Sequence, residues 1–293
     1  MATIIDGKSI AESILQEIKE KSFRLKEEKG IQPGLAFLLV GENPASHVYV
    51  RMKGKACDQC GFHSVTIQLP EDTSEVEVLS QIDRWNIDPD IHGILVQMPL
   101  PKHIDEAKVI EAIRPSKDVD GFHPKNVGNL VIGKKGFRPC TPAGIQELLK
   151  RANVKTEGKH VVVVGRSNIV GKPIANMLVQ KAPHANAVVT ICHTAAKNIS
   201  AHTKRADILI AAMGAPEAIT GDMVKKNCVV IDVGVNRVDD AANPKGYKLV
   251  GDVHFESVRE KASLITPVPG GVGPMTIAML MQNTYLAASG GWK

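Results

Sequence analysis

The sequence predicts an α/β protein of two domains. Its 293 residues fit two domains of roughly 150 residues each. Short apolar runs alternate with amphipathic segments before Met98, and the same alternation resumes after Cys140. The stretch between them contains many Pro and Gly residues and shows little periodicity after Ile113. Two βα series separated by such a stretch indicate two sheets with crossover helices.

The first series supplies alternating elements. Apolar residues at a period near 3.6 predict helices, and short apolar runs such as LAFLLV are typical of strands buried in a parallel sheet. The predicted helices cover 9–29, 45–60 and 74–86, and the predicted strands cover 35–40, 64–69 and 92–97.

The second series is Rossmann-like, with helices between its strands. Its predicted strands cover 161–164, 188–191, 207–212 and 228–233. The amphipathic segment 274–288 predicts a last helix that returns to the first domain. We therefore expect one domain over 1–140, completed by 274–293, and a second over 141–273.

Composition excludes several classes of protein. Hydrophobic residues make up 43% and charged residues 23%, as in ordinary globular chains. A net charge of +5 and 4% aromatic residues argue against a nucleic-acid partner, although the charge would suit a small acidic ligand. No apolar run approaches the roughly 20 residues of a membrane span, and no signal pattern opens the chain. The five scattered cysteines fit free thiols in the cytoplasm.

The segment VVVVGRSNIVGKPIANML predicts a strand, a turn and a helix that could receive a phosphate. Gly165 allows a tight turn, and Gly171 allows backbone to approach an anion at the helix N-terminus. The spacing is G-x-x-x-x-x-G and departs from the usual dinucleotide fingerprint, so an ordinary βα turn is the alternative. The next strand is followed by Cys-His-Thr without a carboxylate. Arg166 and Thr194 therefore favour NADP over NAD.

Polar residues of the first series suggest a second site. Tyr49 and Lys53 stand four apart in a predicted helix and share a face, so they could act as an acid/base couple. Gln97 closes a strand, where ligands of open α/β sheets collect. The alternatives are a surface Tyr/Lys pair and an ordinary strand-end amide. In KDVDGF, Asp118 and Asp120 could instead bond their own turn.

Two smaller patterns predict no site of their own. Cys57 and Cys60 lack a second Cys or His pair at zinc spacing and fall inside a predicted helix, so we expect core thiols and no metal. The Gly/Pro-rich loop 266–276 could admit a flat ligand, could let two domains hinge, or could simply lead into the last helix.

These motifs together resemble the methylenetetrahydrofolate dehydrogenase/methenyltetrahydrofolate cyclohydrolase family over nearly the whole chain. They are, in order, Tyr49-x-x-x-Lys53, GILVQMPLP (93–101), KDVDGFHPKNVG (117–128), RPCTPAG (138–144), GRSNIVGKP (165–173), VIDVGVNR (230–237), GDV (251–253) and TPVPGGVGPMT (266–276).

The resemblance implies oxidation of 5,10-methylenetetrahydrofolate by NADP+, then hydrolysis of the methenyl product to 10-formyltetrahydrofolate, in a cytoplasmic homodimer. It implies that Lys53 is the central catalytic side chain, positioned by Gln97. The other implied roles are folate stacking by Tyr49, pterin binding by Asp120, substrate binding by Pro269, Gly270 and Gly271, phosphate binding by Arg166 and Ser167, and lining of the cofactor site by Gly165, Thr194 and Val235. Many relatives carry Ser where this chain has Thr194.

Two other functions share part of this sequence pattern. Short-chain dehydrogenases also use Tyr-x-x-x-Lys, but their glycine loop precedes the pair, whereas here it follows by more than a hundred positions. A dinucleotide sensor without turnover would share the fold. Such a sensor would not need the set of Tyr49, Lys53, Gln97 and Asp120.

Overall fold

A computed structural model describes residues 1–244 and 246–291, and for Ala45 it describes the backbone alone. The chain divides into two compact units. The first, here called the cofactor unit, comprises Met1–Ala11 and Thr141–Thr276. The second, here called the folate unit, comprises Glu12–Cys140 and Ile277–Lys293. The two names follow the ligands that the family resemblance implies for each part of the chain.

The strands are short, as expected for α/β units. In chain order they are β1 (Thr3–Ile4), β2 (Gly34–Val40), β3 (His63–Leu69), β4 (Gly93–Val96), β5 (His160–Val164), β6 (Val188–Cys192), β7 (Ile208–Ala211), β8 (Val229–Asp232), β9 (Asn236–Asp239), β10 (Tyr247–Val250) and β11 (Leu264–Ile265).

The helices lie between these strands and after the last of them. They are α1 (Gly7–Lys29), α2 (Pro44–Cys60), α3 (Glu75–Ile87), α4 (Glu106–Ala112), α5 (Pro124–Val131), α6 (Cys140–Arg151), α7 (Gly171–Leu178), α8 (Ile199–Thr203), α9 (Phe255–Arg259) and α10 (Val272–Ser289).

The cofactor unit contains a six-stranded sheet in the order β1-β11-β8-β7-β5-β6, with every neighbouring pair parallel. Strands β5, β7 and β8 are buried almost throughout, which explains their apolar runs. The chain passes from β5 to β6 on one side and then to β7 on the other, so the strand order reverses at β5. Ligands of open α/β sheets bind at such a point, and Gly165 follows β5 directly.

The N-terminal segment differs from the predicted domain boundary. Residues 1–11 were expected with the domain over 1–140, but β1 pairs with β11 and joins the six-stranded sheet. A two-residue strand carries no periodicity, so sequence could not show this pairing. The antiparallel pair of β9 and β10 was also missed.

The folate unit contains a three-stranded parallel sheet in the order β3-β2-β4. All seven residues of β2 are buried, whereas every residue of β3 is exposed or half-buried. The chain goes from β2 outward to β3 and then to β4 on the far side of β2, so the strand order reverses at β2 and the carboxyl ends of β2 and β4 form a second switch point.

The stretch 98–140 is more regular than its sequence suggests. It holds α4 and α5, which are only 7 and 8 residues long and too short to show a clear period. Their first turns are capped instead: the Asp105 side chain accepts from the N–H groups of Ala107 and Lys108, and His123 accepts from that of Lys125. Helix α6 also begins at Cys140.

The C-terminal helix completes the folate unit, as predicted, but from Ile277 onward; residues 274–276 belong to the cofactor unit. Residues 292 and 293, the end of the predicted segment 274–293, lie outside the described residues. In the part of the chain that the structure describes, no helix is long and apolar enough to cross a membrane.

Candidate active site

A hydrogen bond joins Lys53 to Gln97 within the folate unit. Lys53 lies in α2 and donates from Nζ to Gln97 Oε1 over 3.0 Å. The other end of the amide, Nε2, donates to the carbonyl of Met98 over 2.7 Å, so the orientation of the Gln97 side chain is fixed. Gln97 follows β4 directly and lies at the switch point of its sheet. The two residues that sequence placed 44 positions apart therefore form one polar contact at a strand end.

Asp120 is brought to the same strand end by an unpredicted contact. An isolated parallel bridge aligns Asp118 with Ile94 of β4, so Asp120 runs beside the carboxyl end of that strand. Burial raises the pKa of Asp120, and the charge of Lys53 lowers it in part. The thiol of Cys140 approaches Asp120 Oδ1 at 3.9 Å and Val119 O at 3.4 Å. Lys53, Gln97 and Asp120 thus form one cluster.

Asn283 supports this cluster and was missed by sequence analysis. It lies in α10, is 6% exposed, and donates from Nδ2 to the carbonyls of Val119 (2.8 Å) and Arg138 (3.0 Å). These two carbonyls flank Asp120 and Cys140, so one amide fixes both segments. The available signal was an amide side chain in a largely apolar helix, because such a group requires a partner when it is buried.

Tyr49 shares α2 with Lys53 but is less enclosed. Its side chain is 48% exposed, whereas Lys53 is half-buried. Among the described residues, no hydrogen bond to the Tyr49 hydroxyl is found. An exposed ring on this helix is free to contact a ligand, but the structure does not link Tyr49 to Gln97 or Asp120.

Asp118 has a structural role that the turn composition predicted. It is 2% exposed, and its carboxylate accepts from the backbone N–H groups of Phe122 (3.2 Å) and His123 (2.8 Å) and from Asn126 Nδ2 (2.8 Å). These bonds close the turn that presents Asp120. The expectation that an Asp of this segment bonds its own turn is therefore confirmed for Asp118.

Asp118 should make stability depend on pH. Burial raises its pKa from 3.8 to about 6, outweighing the hydrogen bonds that lower it. The folded protein then holds the proton more tightly than the unfolded chain. The contribution of Asp118 is full below about pH 4 and is lost as the pH rises through about 6. We expect the unfolding free energy of the parent minus that of Asp118→Asn to fall by up to about 3 kcal/mol over this range.

Urea unfolding at a series of pH values measures this difference. Asp72→Asn removes an exposed aspartate and serves as the control. A difference between parent and Asp118→Asn that stays flat across the range would contradict the assignment.

The loop after β5 in the cofactor unit leaves no room for side chains at its two glycines. Gly165 has φ +133°, and a Cβ there would collide with the carbonyl oxygen of Ala212. A Cβ on Gly171 would collide with the Gly165 carbonyl and lie 2.9 Å from Arg166 N. Backbone segments therefore meet directly at the N-terminus of α7. The loop after β5 therefore packs tightly against the start of α7, the helix end whose dipole favours an anion.

Ser167 already has a role within this loop. Its Oγ accepts from the N–H groups of Val170 (3.1 Å) and Gly171 (3.3 Å), which closes the turn that leads into α7. The Arg166 side chain is exposed, as is Thr194 just after β6. Val235 lies between β8 and β9 and is 51% exposed. These residues all follow strands at the carboxyl edge of one sheet.

The loop before α10 belongs to the cofactor unit. Pro269 is exposed, Gly270 has φ +103°, and a Cβ on Gly271 would lie 2.6 Å from Pro267 O. The carbonyl of Gly270 accepts from Lys8 N over 2.9 Å. The predicted substrate set is therefore divided: these three residues lie in one unit, and Tyr49, Gln97 and Asp120 lie in the other.

Two family models match successive parts of the chain. The tetrahydrofolate dehydrogenase/cyclohydrolase catalytic domain matches residues 5–120, and the NAD(P)-binding domain of the same family matches residues 139–290. The chain belongs to the tetrahydrofolate dehydrogenase/cyclohydrolase family. The first match covers most of the folate unit and the second covers the cofactor loop, so the two sites described above fall in separate family domains.

Relatives of the tetrahydrofolate dehydrogenase/cyclohydrolase family match over almost their full length. The chain is 60% identical to a bifunctional protein FolD from Moorella thermoacetica over 98% of this chain and 99% of the relative. A solved FolD methylenetetrahydrofolate dehydrogenase/cyclohydrolase from Campylobacter jejuni is 49% identical, with a TM-score of 0.94 over 99% of this chain and 100% of that one. The FolD enzyme of Trypanosoma brucei, solved with NADP cofactor and inhibitor, is 39% identical. The match covers 99% of this chain and 98% of that one, with a TM-score of 0.93.

Four of the five cysteines lie outside the cluster of Lys53, Gln97 and Asp120 and outside the loop after β5. The exception is Cys140, which contacts Asp120. Cys57 and Cys60 are buried in α2, as predicted, and burial raises the pKa of both thiols. Among the described residues, no group of three or more His, Cys, Asp or Glu side chains could hold a metal ion.

Proposed function

We propose that this protein oxidises 5,10-methylenetetrahydrofolate to 5,10-methenyltetrahydrofolate with NADP+ and then hydrolyses the product to 10-formyltetrahydrofolate. The observation that carries the proposal is the hydrogen bond from Lys53 to Gln97 beside the half-buried Asp120. A sensor that only bound a dinucleotide would have no use for a half-buried amine held at a strand end. Membership of the tetrahydrofolate dehydrogenase/cyclohydrolase family supports both reactions.

Each residue of the cluster has a task in this chemistry. Gln97 holds Lys53 Nζ in place, and Lys53 exchanges a proton at Nζ with the water that attacks the methenyl carbon. Asp120 accepts hydrogen bonds from the pterin, and the exposed ring of Tyr49 stacks on the folate. Asn283 and Cys140 act only through Asp120, since they contact the segments on either side of it.

The residues of the other unit fit NADP, which supplies a hydride acceptor when bound. Gly165 and Gly171 let backbone segments meet closely at the start of α7, where the positive end of the helix dipole favours a phosphate. Arg166 and Ser167 bind cofactor phosphates, and Thr194 and Val235 line the site. Pro269, Gly270 and Gly271 contribute backbone to the folate. On these grounds 12–140 with the C-terminal helix forms the folate-binding catalytic domain and 141–276 the NADP-binding domain.

A spectrophotometric assay tests the proposed function. Protein is mixed with methylenetetrahydrofolate and either NADP+ or NAD+, and absorbance follows reduced cofactor and the methenyl compound separately. We expect reduction with NADP+ and decay of the methenyl signal. Binding of NADP+ without any reduced cofactor would favour the sensor instead.

We also propose that two copies pair through β3. Among the described residues this strand pairs only with β2, so its other edge is open, and edge strands readily accept another strand. Thr66 is exposed on β3. A lysine there should hinder pairing, because lysine protects natural sheet edges.

Light scattering after size exclusion measures this effect. We expect a dimer for the parent and for Ser80→Lys, which alters an exposed residue of α3, and a shift toward monomer for Thr66→Lys. A Thr66→Lys protein that remains as dimeric as the parent would contradict pairing through this edge.

The compartment we propose is the cytoplasm. All five cysteines are free and buried, as suits a reducing environment. Recovery of the protein from an exported fraction would contradict this placement.

A further inference from the structure

Two buried aspartates of the cofactor unit hold together the loops that follow β7 and β8. Neither takes part in the chemistry described above. Asp252 is completely buried and Asp232 is 4% exposed. A buried carboxylate is costly unless its oxygens accept hydrogen bonds, so the partners of these two side chains indicate what they do.

The Asp252 carboxylate accepts four hydrogen bonds. Its Oδ2 accepts from the backbone N–H groups of Met213 (2.7 Å) and Gly214 (3.0 Å). Its Oδ1 accepts from Ala215 N and from Asn236 Nδ2, both over 2.9 Å. Three successive N–H groups therefore converge on one carboxylate, in the loop that follows β7, and a fourth donor comes from the start of β9.

Asp232 extends the same network from the end of β8. Its Oδ1 accepts from the N–H groups of Gly234 (3.0 Å) and Asp252 (2.9 Å), and its Oδ2 accepts from Val253 N (3.0 Å). Side chains are excluded around both carboxylates: a Cβ on Gly234 would collide with Asp252, and a Cβ on Gly251 would collide with Asp232. The two aspartates and two glycines form one packed unit.

The network encloses a residue of the proposed cofactor site. Val235, half exposed, stands between Gly234, which donates to Asp232, and Asn236, which donates to Asp252. The loop 213–215 lies at the end of β7, the strand next to β5 at the point where the strand order reverses. Both loops therefore lie on the edge of the sheet where a dinucleotide is expected.

We infer that Asp252, together with Asp232, is a positioning residue for the NADP site: it fixes the loops 213–215 and 234–236 in the conformation that receives the cofactor. The inference rests on the proposed function, because it takes this edge of the sheet as the place of NADP. Asp252 acts through the loops and not by contact with the cofactor. A change at Asp252 should therefore leave the affinity of a ligand of the folate unit unchanged.

The first variant is Asp252→Asn, which keeps size and one acceptor oxygen but turns an NH2 group toward N–H groups that need an acceptor. Loss of hydrogen bonds to a charged group predicts NADP+ binding weaker by about tenfold or more. The second is Asn236→Ala, which removes one of the four donors and leaves both carboxylates in place. We expect a smaller loss of about threefold to tenfold, in the same direction.

Calorimetric titration below the melting transition measures the dissociation constants of NADP+ and of tetrahydrofolate for each variant. The control is Asp222→Asn, an exposed aspartate of the same unit. A purely structural role would lower the melting temperature and leave the NADP+ constant of the folded protein unchanged. If Asp252 positions the loops, the dissociation constant of NADP+ rises and that of tetrahydrofolate stays equal to the parent's.

The outcomes distinguish failure of the inference from failure of the proposed function. If the parent binds NADP+ and every folded variant binds it within about twofold of the parent, the inference is overturned while the proposed function stands. If the parent does not bind NADP+, both the inference and the proposed function are wrong. Should Asp252→Asn fail to fold, Asn236→Ala decides by the same criterion.

Discussion

Replacing Lys53 by methionine is expected to lower the cyclohydrolase rate by about 10²- to 10⁴-fold, the usual contribution of a positioned acid or base. Methionine keeps the length and apolar stem of lysine but cannot exchange a proton. Oxidation of the methylene bridge releases a hydride and no proton, so the dehydrogenase rate should fall by no more than about tenfold. Both rates are read from the same sample, as methenyl decay and as formation of NADPH.

Lys55→Met is the matched control for this experiment. Lys55 is an exposed lysine of the same helix, two positions further on, and therefore faces a different direction. It should leave both rates near those of the parent. If Lys53→Met hydrolysed the methenyl compound as fast as Lys55→Met, Lys53 would have no part in water addition.

Gly171→Ala is expected to have the second large effect, on NADP+ binding. The new methyl group would meet the carbonyl of Gly165 and the N–H of Arg166, all of it backbone that no side-chain rotation can relieve. Displacing the loop costs about 1–3 kcal/mol, which corresponds to NADP+ binding weaker by roughly 5- to 150-fold. Calorimetric titration of the folded variant measures the loss.

Gly128→Ala provides the comparison. Gly128 lies inside α5, and a Cβ there has no neighbour within 4 Å. Alanine at such a helical position should leave binding unchanged and stabilise the protein by about 0.5–1 kcal/mol. Equal NADP+ affinity in Gly171→Ala and Gly128→Ala would show that the loop after β5 does not form the phosphate site.

Much of the candidate site was visible in the sequence because its residues follow strands. Gln97 and Gly165 could be placed at carboxyl ends of parallel strands from apolar runs alone, and Lys53 could be placed on a helix. Their meeting could not be predicted from spacing. The contact between Lys53 and Gln97 depends on how α2 packs near β4, and the position of Asp120 depends on a single bridge from Asp118 to Ile94.

Residues that position other residues could not be identified from the sequence. Asn283 and Asp252 carry no motif chemistry of their own, and each is defined by the carbonyls or N–H groups that surround it. Sequence periodicity reports which face of an element is apolar. It does not report which backbone groups remain to be satisfied once the chain has folded.

The sequence alone determined the α/β class, the long helices, the buried parallel strands and the two glycines of the cofactor loop, because each follows from local periodicity or from the conformational freedom of glycine. The tertiary structure alone decided that residues 1–11 join the six-stranded sheet, that short capped helices fill 98–140, and that Asp232 and Asp252 are locked together. These features arise from contacts between distant segments. Their energies appear only when the partners are brought side by side, which no local pattern encodes.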